Sequence, residues 1–191
     1  MLILKLNKAG IPDELKNEIK WVAYKENREG RKIPMNANPG VIDETASISD
    51  PTTWTTFENA ARLVEQGIYP AVGYAKPKGD TLLFTDLDKH LEKCKSKEEK
   101  DELIKKFEAL FRQLGYFDTY MEKSISGEGV HLLAMGSLNP ELKTGEAPEW
   151  PLEIYGPEDA KFIIMTGHRL NDCDISSEER AVGAINNLHK H

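Results

Sequence analysis

The chain reads as an α+β protein with mainly antiparallel sheet and flanking helices. Three observations predict this. Short, largely apolar runs with strand-like alternation recur along the 191 residues. Amphipathic helical patterns fall among them, but without the strict strand–helix–strand alternation that a parallel sheet requires. No internal repeat or low-complexity linker interrupts the pattern.

Taken in order, Pro12 opens a short helix over 12–20, since proline suits a first helical turn. Residues 21–25 (Trp-Val-Ala-Tyr-Lys) read as a strand, and 31–36 as its hairpin partner after a polar turn. The stretch 38–51 is loop-like. Asp50 or Thr52 is placed to cap a helix over 54–66, whose Phe57, Ala60, Ala61 and Val64 share one face and which Gly67 stops. Two strands follow at 71–75 and 82–87, joined by a turn over 76–80.

Ser96 and Glu99 form a capping-box pattern. It opens a helix to about Leu114, with Leu103, Ile104, Phe107, Leu110, Phe111 and Leu114 as its apolar stripe and Gly115 ending it. Strands are expected at 119–123, 130–134, 152–155 and 161–166. Ser176 or Ser177 then caps a last helix to about Leu188.

Composition bounds the function classes. The chain is 39% hydrophobic and 30% charged, with a net charge of −7. That balance argues against a protein that grips duplex DNA through bulk positive charge, though not against chemistry on nucleotides. No apolar run reaches the length of a membrane span, and the start lacks the marks of a secretory signal. Cys94 and Cys173 have no metal-ligand spacing, so a reducing cytoplasm and no zinc are expected.

Leu82-Leu83-Phe84-Thr85-Asp86-Leu87-Asp88 carries the strongest chemical signal. In a strand, alternate side chains share a face, so Asp86 and Asp88 point the same way. Two neighbouring carboxylates repel, and a hard divalent cation such as Mg²⁺ or Mn²⁺ resolves the conflict. The competing reading is a strand running into a solvated acidic turn. Glu153, between apolar neighbours in Leu152-Glu153-Ile154-Tyr155, is a candidate third carboxylate if it faces inward.

Ser124-Ile125-Ser126-Gly127-Glu128-Gly129-Val130-His131 joins two expected strands. Its serines (Ser124, Ser126) and its glycines (Gly127, Gly129) suit a phosphate-cradling loop, and His131 is placed to contact a triphosphate. By itself the same stretch also reads as a hairpin turn with a core histidine. Lys161 and the run through Thr166, Gly167, His168 and Arg169 offer a further rim for phosphate or base, and Arg31 and Lys32 add cations on the early hairpin.

The ordered set of these motifs resembles the archaeo-eukaryotic primase superfamily. Its members are Trp-Val, Arg-Lys-x-Pro, Ser-Asp-Pro-x-Thr-Trp-x-x-Phe-x-x-Ala (49–60), Asp-x-Asp, Ser-x-Ser-Gly-x-Gly-x-His, Glu-Ile-Tyr and Phe-x-x-Met-Thr-Gly-His-Arg. The likeness is greatest to the bifunctional primase-polymerases of phages and plasmids and runs over about residues 11–171.

The resemblance implies a single primase-polymerase catalytic core with an N-terminal lobe over about 1–70 and a metal- and nucleotide-binding lobe over about 71–191. It also implies a template-directed nucleotidyltransferase. Asp86, Asp88 and Glu153 would hold two Mg²⁺ or Mn²⁺ ions. Ser124, Ser126, Gly127, Gly129 and His131 would cradle the incoming nucleotide, with Lys32, Lys161, Thr166 and His168 as further contacts. Family members often carry arginine where Lys161 stands. The implied partners are a (d)NTP and a single-stranded or primed DNA template in a prokaryotic host cytoplasm. A C-terminal helical domain or helicase, absent here, is also implied. The alternatives are a non-catalytic nucleotide- or nucleic-acid-binding module and a metal-dependent nuclease of the same fold. A phosphohydrolase with an early Asp-x-Asp followed by Gly-Thr fits less well, because Lys89 and His90 follow here and a long segment precedes.

Overall fold

A computed structural model describes residues 3–87, 94–114, 118–139, 145–146 and 153–187. It is α+β, as expected. Its described strands form two sheets, one of four strands and one of five, with antiparallel neighbours throughout. The chain divides into two compact units, and neither is continuous in sequence.

The first unit contains residues 1–79 together with 125–127 and 159–168. Its sheet has the order β2-β1-β3-β9, with β1 at Trp21–Glu26, β2 at Lys32–Met35, β3 at Ala71–Lys76 and β9 at Lys161–Met165. Helix α2 (Phe57–Glu65) packs on β1 and β3. The Trp21 ring meets Phe57 edge-on with ring centroids 4.8 Å apart and Tyr74 at 5.5 Å. Its indole N–H donates to the Leu15 carbonyl at 2.8 Å, so a large apolar ring is buried with its polar tip satisfied.

Helix α1 is only Asp13–Lys16, shorter than the expected 12–20. Only Leu15 of this short helix is buried, too little apolar surface to hold a longer one. Thr56, rather than Asp50 or Thr52, caps α2, its hydroxyl accepting from the Asn59 N–H. Asp50 caps a separate 3₁₀ turn at Pro51–Thr53, and Trp54 is extended. The proline-led turn uses up the first cap, so the helix starts later than periodicity alone suggests.

The N-terminal segment is stitched to two loops of the same unit. The Leu4 N–H donates to the Ile125 carbonyl and the Asn7 N–H to the Thr166 carbonyl, both at 2.9 Å. The Asn7 side-chain amide donates to the Gly167 carbonyl at 3.0 Å. Gly167 has a left-handed backbone (φ +70°), and Gly10 lies hard against it.

The second unit holds residues 80–124, 128–158 and 169–191. Its sheet order is β5-β6-β4-β8-β7. Here β4 is Leu82–Asp86, β5 Met121–Lys123, β6 Val130–Met135, β7 Gly145–Glu146 and β8 Glu153–Tyr155. The turn after β3 therefore joins strands of different sheets. Helix α3 (Lys97–Leu114) begins at the expected Ser96 cap, whose hydroxyl accepts from the Glu99 N–H at 3.1 Å; the Glu99 carboxylate reaches one residue further back than a capping box requires and accepts from the Lys95 N–H at 2.7 Å. Helix α4 is Glu179–Asn187.

The two faces of this sheet differ. Leu83, Leu87, Met121, Leu132, Ala134 and Ile154 form one core with Ile185 of α4, and Leu103 and Ile104 of α3 pack against it. Thr85 stands in this apolar row, buried, with no hydrogen-bond partner for its hydroxyl among the described residues. Gly115, Leu152 and Leu188 lie outside the described residues, as do the side chains of Phe107, Leu110, Phe111 and Leu114.

Candidate active site

Because strand alternation sends Leu83 and Thr85 to the helices, it sends Phe84 and Asp86 to the opposite face. Register then decides their neighbours. Asp86 on the central strand β4 pairs with His131 on β6 and with Glu153 on β8. His131 in turn pairs with Glu122 on β5, Glu153 with Glu146 on β7, and Glu122 with Arg169 through an isolated bridge. Directly paired residues on antiparallel strands share a face. One row of chemically active residues thus crosses the sheet at right angles to its strands: Arg169, Glu122, His131, Asp86 and Glu153.

The row is mostly shielded. Glu122 is 0% exposed, His131 5% and Glu153 6%. The Asp86 side chain, at 19%, is the more open carboxylate. The inward placement of Glu153 settles its sequence alternatives against a solvent-facing side chain. The Tyr155 hydroxyl donates to its Oε2. Burying a carboxylate requires such partners.

Carboxylates lie on both sides of the histidine. Its Nδ1 lies 3.1 Å from Glu122 Oε1 and its Nε2 4.0 Å from Asp86 Oδ1. The Phe84 ring meets the imidazole edge-on at 5.1 Å and stacks on Tyr155 at 6.0 Å. The aromatic ring two residues back along β4 thus touches both the imidazole and Tyr155, the donor to Glu153. Glu122 also accepts from the Tyr120 hydroxyl at 2.7 Å. Burial, and then the adjacent Glu122 carboxylate, push the Tyr120 phenol well above its ordinary pKa; it therefore stays a donor. The Arg169 guanidinium lies over the Tyr120 ring at 5.1 Å.

The loop between β5 and β6 closes on itself. The Ser124 N–H donates to the Gly129 carbonyl at 2.9 Å, and the Gly129 N–H donates to the Ser124 hydroxyl oxygen at 3.1 Å. Gly127 turns the chain with φ +77°, a conformation costly for other residues. Ser124 and Gly129 belong to the second unit, with Asp86, His131 and Glu153. Ser126 and Gly127 belong to the first, as do Lys32, Lys161, Thr166 and His168.

Within the first unit, Lys161 starts β9 and pairs with the fully buried Lys76 of β3. Lys32 starts the edge strand β2, opposite Glu26. Thr166 is buried, and its hydroxyl accepts from the His168 N–H at 3.2 Å. The His168 Nε2–H donates to the Lys5 carbonyl at 2.7 Å, tying that loop to the N-terminal segment.

Asp88 lies outside the described residues. Among the described residues no three His, Cys, Asp or Glu side chains form a group able to hold a metal ion. The pair Asp86 and Glu153 nonetheless offers adjacent hard oxygen donors, the chemistry that suits Mg²⁺ or Mn²⁺. Sequence reasoning missed Glu122 and Tyr120. The same alternation that singled out Asp86 and Asp88 places Tyr120 and Glu122 on one face of a strand, so a signal was present.

The chain is 33% identical over 150 residues to a DNA primase-polymerase of Nitratiruptor phage NrS-1, a match covering 77% of the chain and 19% of that relative. The chain thus spans about a fifth of the relative's length. No family model matches. No helix among the described residues is long and apolar enough to cross a membrane.

Proposed function

Since this chain belongs with the phage-type primase-polymerases, we propose that it is a template-directed nucleotidyltransferase that joins an incoming (d)NTP to a primer 3′-hydroxyl. The observation that carries this reading is the row Glu122–His131–Asp86–Glu153 across one sheet face. It sets two carboxylates beside an imidazole that is itself held in place.

In this reading Asp86, Asp88 and Glu153 hold two divalent ions, Mg²⁺ or Mn²⁺. When bound, such ions supply charge neutralisation at the triphosphate and at the attacking hydroxyl. The protein's own groups do the rest. Asp86, the more open carboxylate, faces the substrate side. The Tyr155 hydroxyl holds the Glu153 carboxylate in one orientation. His131, buried and fixed in plane, offers Nε2 to triphosphate oxygens, a preorganised contact that needs no rearrangement during reaction.

Ser124 and Gly129 shape the loop leading into His131. Ser126, Gly127, Lys32, Lys161, Thr166 and His168 are assigned to the nucleotide by motif order rather than by geometry. Priming, a helicase and further domains belong to the same proposal, because the relative is about five times longer than the match.

The experiment is nucleotide incorporation on primed single-stranded DNA, followed by pyrophosphate release. Transfer predicts pyrophosphate release only with template and dNTP. It also predicts that His131→Ala raises the apparent KM for dNTP more than it lowers kcat. Phosphodiester cleavage without dNTP would replace this reading with the nuclease. Nucleotide or DNA binding without either reaction would replace it with the binding module.

A further inference from the structure

The segment 4–7 carries an inference that deepens this reading and rests on it. It runs between two loops of the first unit that are far apart in sequence, 125–127 and 166–168. At one end the Leu4 N–H donates to the Ile125 carbonyl at 2.9 Å. The Leu4 side chain covers the same turn: a Cβ on Gly127 would stand 3.6 Å from its Cγ and Cδ2, ordinary van der Waals contact. At the other end the Asn7 N–H donates to the Thr166 carbonyl at 2.9 Å, and the Asn7 side-chain amide donates to the Gly167 carbonyl at 3.0 Å. Between the ends, the Lys5 carbonyl accepts from His168 Nε2 at 2.7 Å.

These bonds fix direction as well as distance. In a trans peptide group the carbonyl and the following N–H point to opposite sides. A carbonyl held against the segment therefore turns the next residue's N–H away from it. This applies to Ile125 and Ser126 on one loop and to Thr166 and Gly167 on the other. Gly127 and Gly167 both have left-handed backbones, at φ +77° and +70°, a conformation found where backbone N–H groups converge on an anion. A Cβ on Gly167 would lie 2.0 Å from the Asn7 carbonyl oxygen, so this loop sits tightly on the segment.

We propose that the segment 4–7 is a positioning strap for the phosphates of the incoming nucleotide. It holds Ser126 and Gly127 at fixed spacing and orientation to Thr166, Gly167 and His168. The strap touches no substrate and acts only through the two loops. Loops ordered beforehand spare the nucleotide the loss of affinity that ordering them would bring. The effect therefore falls on binding, and so on KM, rather than on the chemical step.

Two variants release one end each. Asn7→Asp keeps the shape but sets a carboxylate, which cannot donate, against the Gly167 carbonyl. Leu4→Ala uncovers the Gly127 turn. In steady-state primer extension each should raise the KM for dNTP about fivefold, with kcat within about twofold. A strap released at either end no longer sets the spacing, so the double variant should match the worse single variant. Losses that multiply would mean two separate local contacts and would overturn the proposal. Ile185→Val, in the core of the second unit, controls for general destabilisation. Its KM should equal that of wild type, and a matching rise there would overturn the proposal as well.

Backbone amide resonances, read in substrate-free protein, form a separate arm. Asn7→Asp should shift the Gly127 amide and Leu4→Ala the Gly167 amide, each at the far end of the strap. Shifts confined to the loop beside each substitution overturn the proposal even if KM rises. If folded wild type extends no primer, the polymerase reading fails, and the far-end shifts alone decide whether the strap links the loops.

Discussion

Replacing Gly10 by alanine tests the stitching of the N-terminal segment to the loop that carries Thr166 and His168. A Cβ at position 10 would stand 1.8 Å from the Gly167 carbonyl oxygen and 2.8 Å from its carbon. Both obstacles are backbone atoms, so no side chain can swing aside. Reaching ordinary van der Waals separation requires the two segments to part by about 1.5 Å. That movement breaks the Asn7 N–H bond to Thr166 and the Asn7 side-chain bond to Gly167, each worth about 1 kcal/mol net. Overpacking strain adds about 1–3 kcal/mol. The expected loss is about 3–5 kcal/mol, which in a chain of this size lowers Tm by roughly 10 °C. Thermal unfolding followed by circular dichroism reads the shift, and hydrogen exchange at the Asn7 amide should rise with it. A Gly10→Ala protein whose Tm stays within about 2 °C of wild type, with the Asn7 amide still protected, would refute the reasoning.

Three further outcomes follow from the same structure. Thr85→Val replaces a buried hydroxyl that lacks a partner with an isosteric methyl, so it should stabilise the protein by about 1 kcal/mol; a lower Tm would show that the hydroxyl is satisfied. Asp86→Asn removes one of two like charges in direct register, so the metal-free protein should keep or gain stability, by at most about 1 kcal/mol, while incorporation is lost; clear destabilisation would mean that Asp86 is structural. Tyr24, buried and donating to Glu26 at 3.1 Å, has its phenol pushed up to about 12, first by burial and then by Glu26. Its native form holds the proton more tightly than the unfolded chain. Stability from this group is therefore complete below about pH 10 and is lost as pH rises toward 12. Urea midpoints across that window should fall more steeply in wild type than in Tyr24→Phe, and equal slopes would contradict it.

Much of the fold was legible because local signals and tertiary roles agree. The alternation in 82–87 identified β4, and the position of Asp86 at its end follows from the apolar residues before it. The Ser96 cap forms as expected, with the Glu99 carboxylate returning to Lys95 instead of to Ser96 itself. Where the reading slipped, a neighbour changed the outcome: Pro51 drew Asp50 into a separate turn and moved the cap of α2 to Thr56, and α1 stopped at Lys16 for want of a buried face. The two-residue strand β7 is too short to leave a periodic signal.

The candidate site divides in the same way. Asp86, His131 and Glu153 could each be picked out by residue type and flanking pattern. Their meeting in one row could not, because strand order β6-β4-β8 and its register are set by packing between segments far apart in sequence. Glu122 went unnoticed for a related reason. In sequence it is one acid next to Lys123, and only the pairing of β5 with β6 turns it toward His131.

Primer extension by wild type beside Asp86→Ala and Glu153→Ala, on primed single-stranded DNA with dNTPs and Mg²⁺ or Mn²⁺, tests the central claim most directly. The account predicts metal-dependent extension by wild type, abolished in both variants while their circular dichroism and Tm stay near wild type. Extension that survives either substitution, or folded wild type that extends no primer with either metal, would contradict it.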